Sequence, residues 1–323
     1  LPTFQRYLTL KKKVISVDLF EYHDVYAPSG HSDEMTYSLE EAKRLVYDSC
    51  AALGEGYRKV VRKVFEERWI DFYPNAGKTS GAYSNGAAYD VHPYILMNFN
   101  GKFNDVTTLA HELGHTMHSH YSNKNQPYPT SDYAIFVAEV ASTVNEILLM
   151  RRLLSQTSPG TQRLALLMRF LDMFKGTVFR QTQFAEFELR IHSHVEDGKA
   201  LTDESLTNIY RDIFDHYYGV DAGITRVDEK FYYEWAFVPH FYYDFYVYQY
   251  ATSFTAAVSI ADRLWKGSSS LRKKYLSFLS AGSSDYPVHL LRCLGVDVTG
   301  SQPFEEMVDI MESLLDEVES LIS

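Results

Sequence analysis

Residues 104–123 read NDVTTLAHELGHTMHSHYSN, and residues 132–146 read DYAIFVAEVASTVNE. Both stretches predict helices, the first from a cap at Asn104 or Asp105 to about Asn123, the second from about Tyr133 to Leu154. A short, Pro-containing loop, NKNQPYPTSD, joins them. Positions i and i+4 of a helix share one face a turn apart, so His111 and His115 can reach the same ion. Glu112 projects beside them, placed to take a proton from water. The plainer alternative is three ordinary residues on a helix surface.

A catalytic zinc generally has three protein ligands and one open position. One extended zincin pattern would place Gly at 118 and a third His at 121, but these are His118 and Tyr121, so that pattern fails. His118 and His120 are out of register with His115 and read as supporting or surface histidines. The remaining candidate is Glu139, set among apolar and small residues in IFVAEVAST. A carboxylate there is costly to bury without a cation or hydrogen-bond partners. Antiparallel packing of the two helices brings Glu139 to the metal, and the competing reading is a buried Glu bonded to its neighbours. Glu146, two turns further on, is placed to orient a ligating His.

Working outward, the chain reads as mainly α with a small β-sheet. Segment 39–68 shows helical spacing of apolar residues. From Trp69 to Asn100, Pro74, Gly77, Gly81, Gly86 and Pro93 act as breakers, and PYILMNFN at its end reads as a strand over 94–99. A long helix covers about 161–196, another 203–218 behind the capping signal Thr202-Asp203-Glu204, and a last one closes the chain. An aromatic-rich segment runs from Phe231 to Phe254. No repeat, low-complexity tract or long linker divides the chain, so 1–323 reads as a single region.

The 323 residues carry a net charge of −11, which argues against the concentrated basic face of a nucleic-acid binder. No uninterrupted apolar run is long enough for a membrane span. The two cysteines, Cys50 and Cys293, fit a reducing cytoplasm better than a disulfide scaffold, and Cys293 in HLLRCLGV reads as buried packing. The first residues lack both an initiator Met and the features of a secretory signal, which suggests a processed or shortened chain.

HELGHTMHSHYS with DYAIFVAEVASTVNE resembles the oligoendopeptidase F branch of the thimet oligopeptidase family of zinc peptidases. Residues 77–106, PHFYYDFYVYQYATSF (239–254) and the tail SSDYPVHLLRCLGVDVT are similar to that branch too. The resemblance implies a zincin-type helical catalytic domain lining a deep channel that admits short, unfolded oligopeptides. Carried over by position, it makes His111, His115 and Glu139 the ligands of one Zn2+ and Glu112 the general base. His240 and Tyr248 match the family's His and Tyr that stabilise the tetrahedral intermediate. Tyr242, Tyr243, Gly81 and Tyr83 become candidate substrate contacts, with loop 77–86 and strand 94–99 flanking the peptide. Edge pairing of the peptide on strand 94–99 is a further expectation. Phe231, Trp235, Phe245 and Tyr250 are left as packing.

Full-length members of that branch carry an N-terminal helical portion ahead of the matched region. The alternative to an active endopeptidase is therefore a zinc- and peptide-binding fragment that needs that portion as a partner. A rival of another class is a di-iron bundle, since Glu112 and His115 form a Glu-x-x-His motif. The nearest second copy, Glu188 with His192, has one residue too many.

Overall fold

Gly101, with φ +80°, turns the chain into the helix Phe103–Asn125, and this turn sets the start of the motif helix in the computed structural model, which describes residues 1–29 and 35–323. Lys102 is the cap. The Asp105 carboxylate, on the third helical residue, reaches back to accept from Asn100 N at 2.8 Å and Lys102 N at 2.9 Å. Asp105 therefore satisfies the exposed donors from inside the first turn, and neither it nor Asn104 is the cap itself. The helix ends where Gln126 turns extended ahead of Pro127, a residue pair that disfavours helix.

The second helix, Ile135–Gln156, returns antiparallel to the first. Asn145 Nδ2 donates to Ala110 O at 3.3 Å near one end, and His115 lies near Glu139 at the other. Gly114 marks their closest approach. A Cβ built there would stand 2.4 Å from Ser142 Cα and 2.5 Å from Ala141 O. Around this crossing Leu109, Leu113, Met117, Val140, Val144 and Leu148 are fully buried. Burial of each such side chain stabilises by about 1.5–3 kcal/mol.

A three-stranded sheet packs in the same part of the chain: β1 (Ile70–Asp71), β2 (Tyr83–Asn85) and β3 (Tyr94–Leu96), in the order β1-β3-β2. β3 pairs parallel with β1 and antiparallel with β2. Beyond Leu96, Met97 N and Phe99 N still donate to Asp71 O and Phe72 O, while Ile95, Met97 and Phe99 alternate into the core. The strand read from PYILMNFN is thus central, so a peptide cannot pair along it as expected. β2 lies in the Gly-rich loop, where no strand was anticipated.

The expected helix over 39–68 divides into Leu39–Ser49 and Glu55–Glu66, because a 3-10 turn at Cys50–Leu53 ends in Gly54 at φ +87°. The helix over 161–196 runs through a π-helical turn, Lys175–Phe179, and stops at Gly198 with φ +77°. Cys50 is buried. Cys293, expected in packing, is exposed. It is the last residue of the short helix Pro287–Cys293, whose inward side is carried by Leu291, with Leu294 beyond it.

Two compact units emerge, each assembled from separated stretches of chain: Leu1–Ser32, Pro159–Thr252 and Val308–Ser323 form one, Asp33–Ser158 and Ser253–Met307 the other. Because the chain enters each unit more than once, no single linker marks them. The first unit is centred on aromatic packing of Phe4, Tyr22, Phe214 and Tyr218, with Arg180 paired to Glu234. The helix pair and the sheet belong to the second.

Placing Ala at 114 would ordinarily favour a helix by about 1 kcal/mol. Here the methyl meets backbone atoms of a neighbouring helix, and overpacking of that kind costs about 1–3 kcal/mol or more. Gly114→Ala is therefore expected to lower unfolding free energy in a urea titration. Stability equal to or above that of the parent would show that the helices do not meet at this residue.

Candidate metal centre

Two imidazoles and one carboxylate converge between the paired helices. His111 Nε2 lies 3.2 Å from His115 Nε2, and Glu139 Oε2 lies 3.4 Å and 3.7 Å from these nitrogens. Zinc bonds of about 2.0–2.1 Å in a tetrahedron place neighbouring donors about 3.3 Å apart, so this triangle fits the ion. Among the described residues, these three are the only group of His, Cys, Asp or Glu donors close enough to hold one metal. Their side chains remain 19–28% exposed, which leaves an approach for water and substrate.

Two of the three donors are held by a neighbouring side chain. Glu146 Oε1 stands 2.6 Å from His111 Nδ1, which directs Nε2 of that ring toward the other two donors. Ser142 Oγ donates to Glu139 Oε2 at 3.0 Å and also contacts Glu139 O, one turn back on the same helix. Sequence reasoning reached Glu146 but missed Ser142, although a hydroxyl three residues after a carboxylate set among apolar residues was a readable signal.

Glu112 is buried, 7% exposed, and accepts a hydrogen bond from the backbone of Ser84 on β2. Ser84 Oγ also lies 2.7 Å from Thr116 Oγ1 on the motif helix. The sheet therefore holds the base candidate in place. Burial, with Glu139 nearby, raises the Glu112 carboxyl above the ordinary carboxylate range, against the opposing pull of His111. Burial alone would lower the pKa of His111. The carboxylates of Glu146, Glu139 and Glu112 outweigh burial and raise it to about 9. Burial and the neighbouring His111 push His115 down. So much negative charge around two rings is an environment suited to a cation.

His118 is fully buried and stacks on Tyr133 at 3.6 Å between ring centroids, and burial lowers its pKa to about 3. His120 packs near Trp69. Neither joins the donor triangle. A cavity of about 660 Å³ opens next to the centre, lined by Ser84, Asn85, Ser119, Tyr133 and Ala138 among others. Tyr83, on the outer strand β2, is 51% exposed, and Gly81 precedes that strand with φ +87° and open space around it.

The structure thus brings His111, Glu112, His115, Glu139 and Glu146 together in one unit. His240, Tyr242, Tyr243 and Tyr248 belong to the other. His240 sits on the 3-10 turn Pro239–Tyr242, its ring stacked on Tyr246 at 5.9 Å and edge-on to Tyr243 at 5.8 Å. Tyr242 and Tyr243 are 86% and 58% exposed, and Tyr248 opens the helix Tyr248–Trp265. Between them Asp244 and Phe245 have φ +46° and +57°. Left-handed backbone costs a non-Gly residue about 1–2 kcal/mol. Phe245, read as packing, is exposed on this turn, while Phe231, Trp235 and Tyr250 are half-buried. Glu188 accepts from Phe245 N at 2.6 Å, so it supports this loop, and among the described residues it joins no group of metal donors.

The sequence model of peptidase family M3 matches residues 2–310. This chain belongs to peptidase family M3. Oligopeptidase PepF of Bacillus subtilis is 45% identical over all of this chain, which spans 48% of that relative. A crystal structure of oligoendopeptidase-F from Enterococcus faecium superposes with a TM-score of 0.75 at 32% identity, covering 99% of this chain and 50% of that one. A chain from Chlamydophila abortus superposes with a TM-score of 0.89 at 38% identity, with 99% and 53% covered. The chain thus spans about half the length of these relatives.

For a family M3 chain with this centre, the contact between Glu146 and His111 has a measurable consequence. If the triangle holds zinc, Glu146→Ala is expected to weaken its binding by about 10–100-fold, as loss of a carboxylate behind a ligating His typically does. Competition against a chromogenic chelator reads the change. An unaltered affinity would remove Glu146 from the centre.

Proposed function

We propose that this chain is the catalytic region of a zinc endopeptidase acting on short, unfolded oligopeptides, with His111, His115 and Glu139 as the ligands of one Zn2+. The observation that carries the proposal is the donor triangle, whose edges match a tetrahedral zinc set, in a family M3 chain. Bound zinc supplies a positive charge that acidifies water and polarises the scissile carbonyl.

The chain's own residues do the rest. A Glu112 carboxylate oxygen accepts a proton from the attacking water, then returns it to the nitrogen of the leaving amine. The Ser84 hydrogen bond holds Glu112 in place for both transfers. Glu146 keeps His111 oriented, and Ser142 steadies Glu139. The Tyr248 hydroxyl and His240 donate to the negative charge that develops on the carbonyl oxygen, as the resemblance to oligoendopeptidase F implies. Tyr242 and Tyr243, both exposed, are further substrate contacts.

The peptide backbone is assigned to β2, one of the two edge strands, whose Tyr83 and preceding Gly81 are open to it. Side chains flanking the cut would enter the cavity lined by Ser119 and Tyr133. A cytoplasmic setting is supported by two unpaired cysteines, one of them exposed. Among the described residues no helix is long and apolar enough to cross a membrane.

A quenched fluorescent peptide, assayed with and without a zinc chelator, tests the proposal. Cleavage that stops with chelator and returns with zinc is the expected outcome. Zinc and peptide binding without turnover would instead favour a fragment that needs an additional N-terminal portion, a reading prompted by the half-length match. Glu112→Gln should abolish turnover with zinc content unchanged, and Tyr248→Phe should slow it by about a hundred-fold or more. Full activity in Glu112→Gln would exclude this carboxylate as the base.

A further inference from the structure

Glu188 and His192 stood out in the sequence because they almost repeat the motif of Glu112 and His115, yet the proposed chemistry uses neither. Both lie on the helix Arg180–Glu196, a turn apart. Glu188 is completely buried. One carboxylate oxygen accepts from Phe245 N at 2.6 Å, and the other, Oε2, has no hydrogen-bond partner. A buried carboxylate held so sparingly is costly, and burial raises its pKa. What it holds is also costly: Asp244 and Phe245 are consecutive non-Gly residues with left-handed backbone.

The same helix grips the loop at two points. Phe184 and Phe187 pack on Phe241, beside His240, with ring centroids 5.4 Å and 5.2 Å away. One turn on, Glu188 takes the Phe245 N–H while the His192 ring lies 4.5 Å from the Phe245 ring. Between these grips Tyr242 and Tyr243 extend into solvent, and just beyond them Tyr248 starts its helix. The segment from His240 to Tyr248 is thus tethered at Phe241 and at Phe245.

We propose that Glu188 is a positioning residue whose buried carboxylate holds the left-handed turn Asp244–Phe245 and so sets where the Tyr248 hydroxyl stands. This rests on the reading of Tyr248 as a donor to the developing negative charge. The hydrogen bond itself does not depend on that reading.

Two measurements on this chain separate the parts. Amide exchange at Phe245, followed in the protein without substrate, is expected to be slow in the parent and in Glu188→Gln, whose amide oxygen still accepts, and fast in Glu188→Ala. Equal exchange in parent and Glu188→Ala overturns the proposal whatever the activity. In the peptide assay, Glu188→Ala is expected to lower kcat by about 30- to 100-fold with KM nearly unchanged, since small misplacements of a catalytic group cost about that much. Glu188→Gln should recover most of the loss. Adding Glu188→Ala to Tyr248→Phe should slow the enzyme little further. Multiplied losses in the double variant would show that Glu188 does not act through Tyr248. If Tyr248→Phe keeps full activity while Phe245 exchange rises in Glu188→Ala, the role assigned to Tyr248 fails, and the link from the turn to catalysis fails with it. Should Glu188→Ala not fold, Glu188→Leu against Glu188→Gln gives the same comparison at similar volume.

Discussion

The close crossing of two antiparallel helices at Gly114 is the constraint on which the candidate centre depends. With no side chain at that residue, the backbones approach until Ser142 and Ala141 lie directly against the motif helix. That approach puts Glu139 within 4 Å of both imidazoles and Glu146 against the outer nitrogen of one. A wider crossing would leave three carboxylates and two rings partly buried without mutual contact, which the energetics of buried charge disfavour. Packing and chemistry are here the same requirement. The sheet adds a second support, because Ser84 on β2 bonds Glu112 through its backbone and Thr116 through its hydroxyl.

Much of this was legible in the residues. The i, i+4 spacing of His111 and His115 is a property of any helix, so their shared face followed once the helix was recognised. Glu139 was readable because a carboxylate amid Val, Ala and Ser has few other reasons to be there. Glu146 followed from helical spacing. The reason for Gly114 was not readable, since the motif tolerates several residues at its centre and only the partner backbone reveals the need for glycine. Ser142 escaped notice because serine is common in small-residue helix faces.

The sheet was harder to read. A six-residue β-like run was visible at 94–99, but its neighbours are strands of two and three residues that carry almost no pattern of their own. Strand order depends on pairing between distant segments, and short strands in Gly-rich sequence leave that pairing unmarked. Hence the run was assigned to an edge while it occupies the middle. Cys293 failed for a related reason: an apolar neighbourhood in sequence does not say which side of a two-turn helix faces inward. The left-handed pair Asp244–Phe245 had little signal, since Asp adopts that backbone only occasionally, Phe seldom does, and a distant carboxylate supplies the hold.

All donors of the centre, with the groups that orient the ring and the carboxylate, fall between residues 111 and 146, on two helices and one connecting turn. Contacts of such short sequence separation need little loop closure and form early when a chain folds. The helical hairpin that carries the candidate centre can therefore take shape before the strands and the aromatic loop are in place. An ion arriving later would then meet three donors whose spacing local packing has already set.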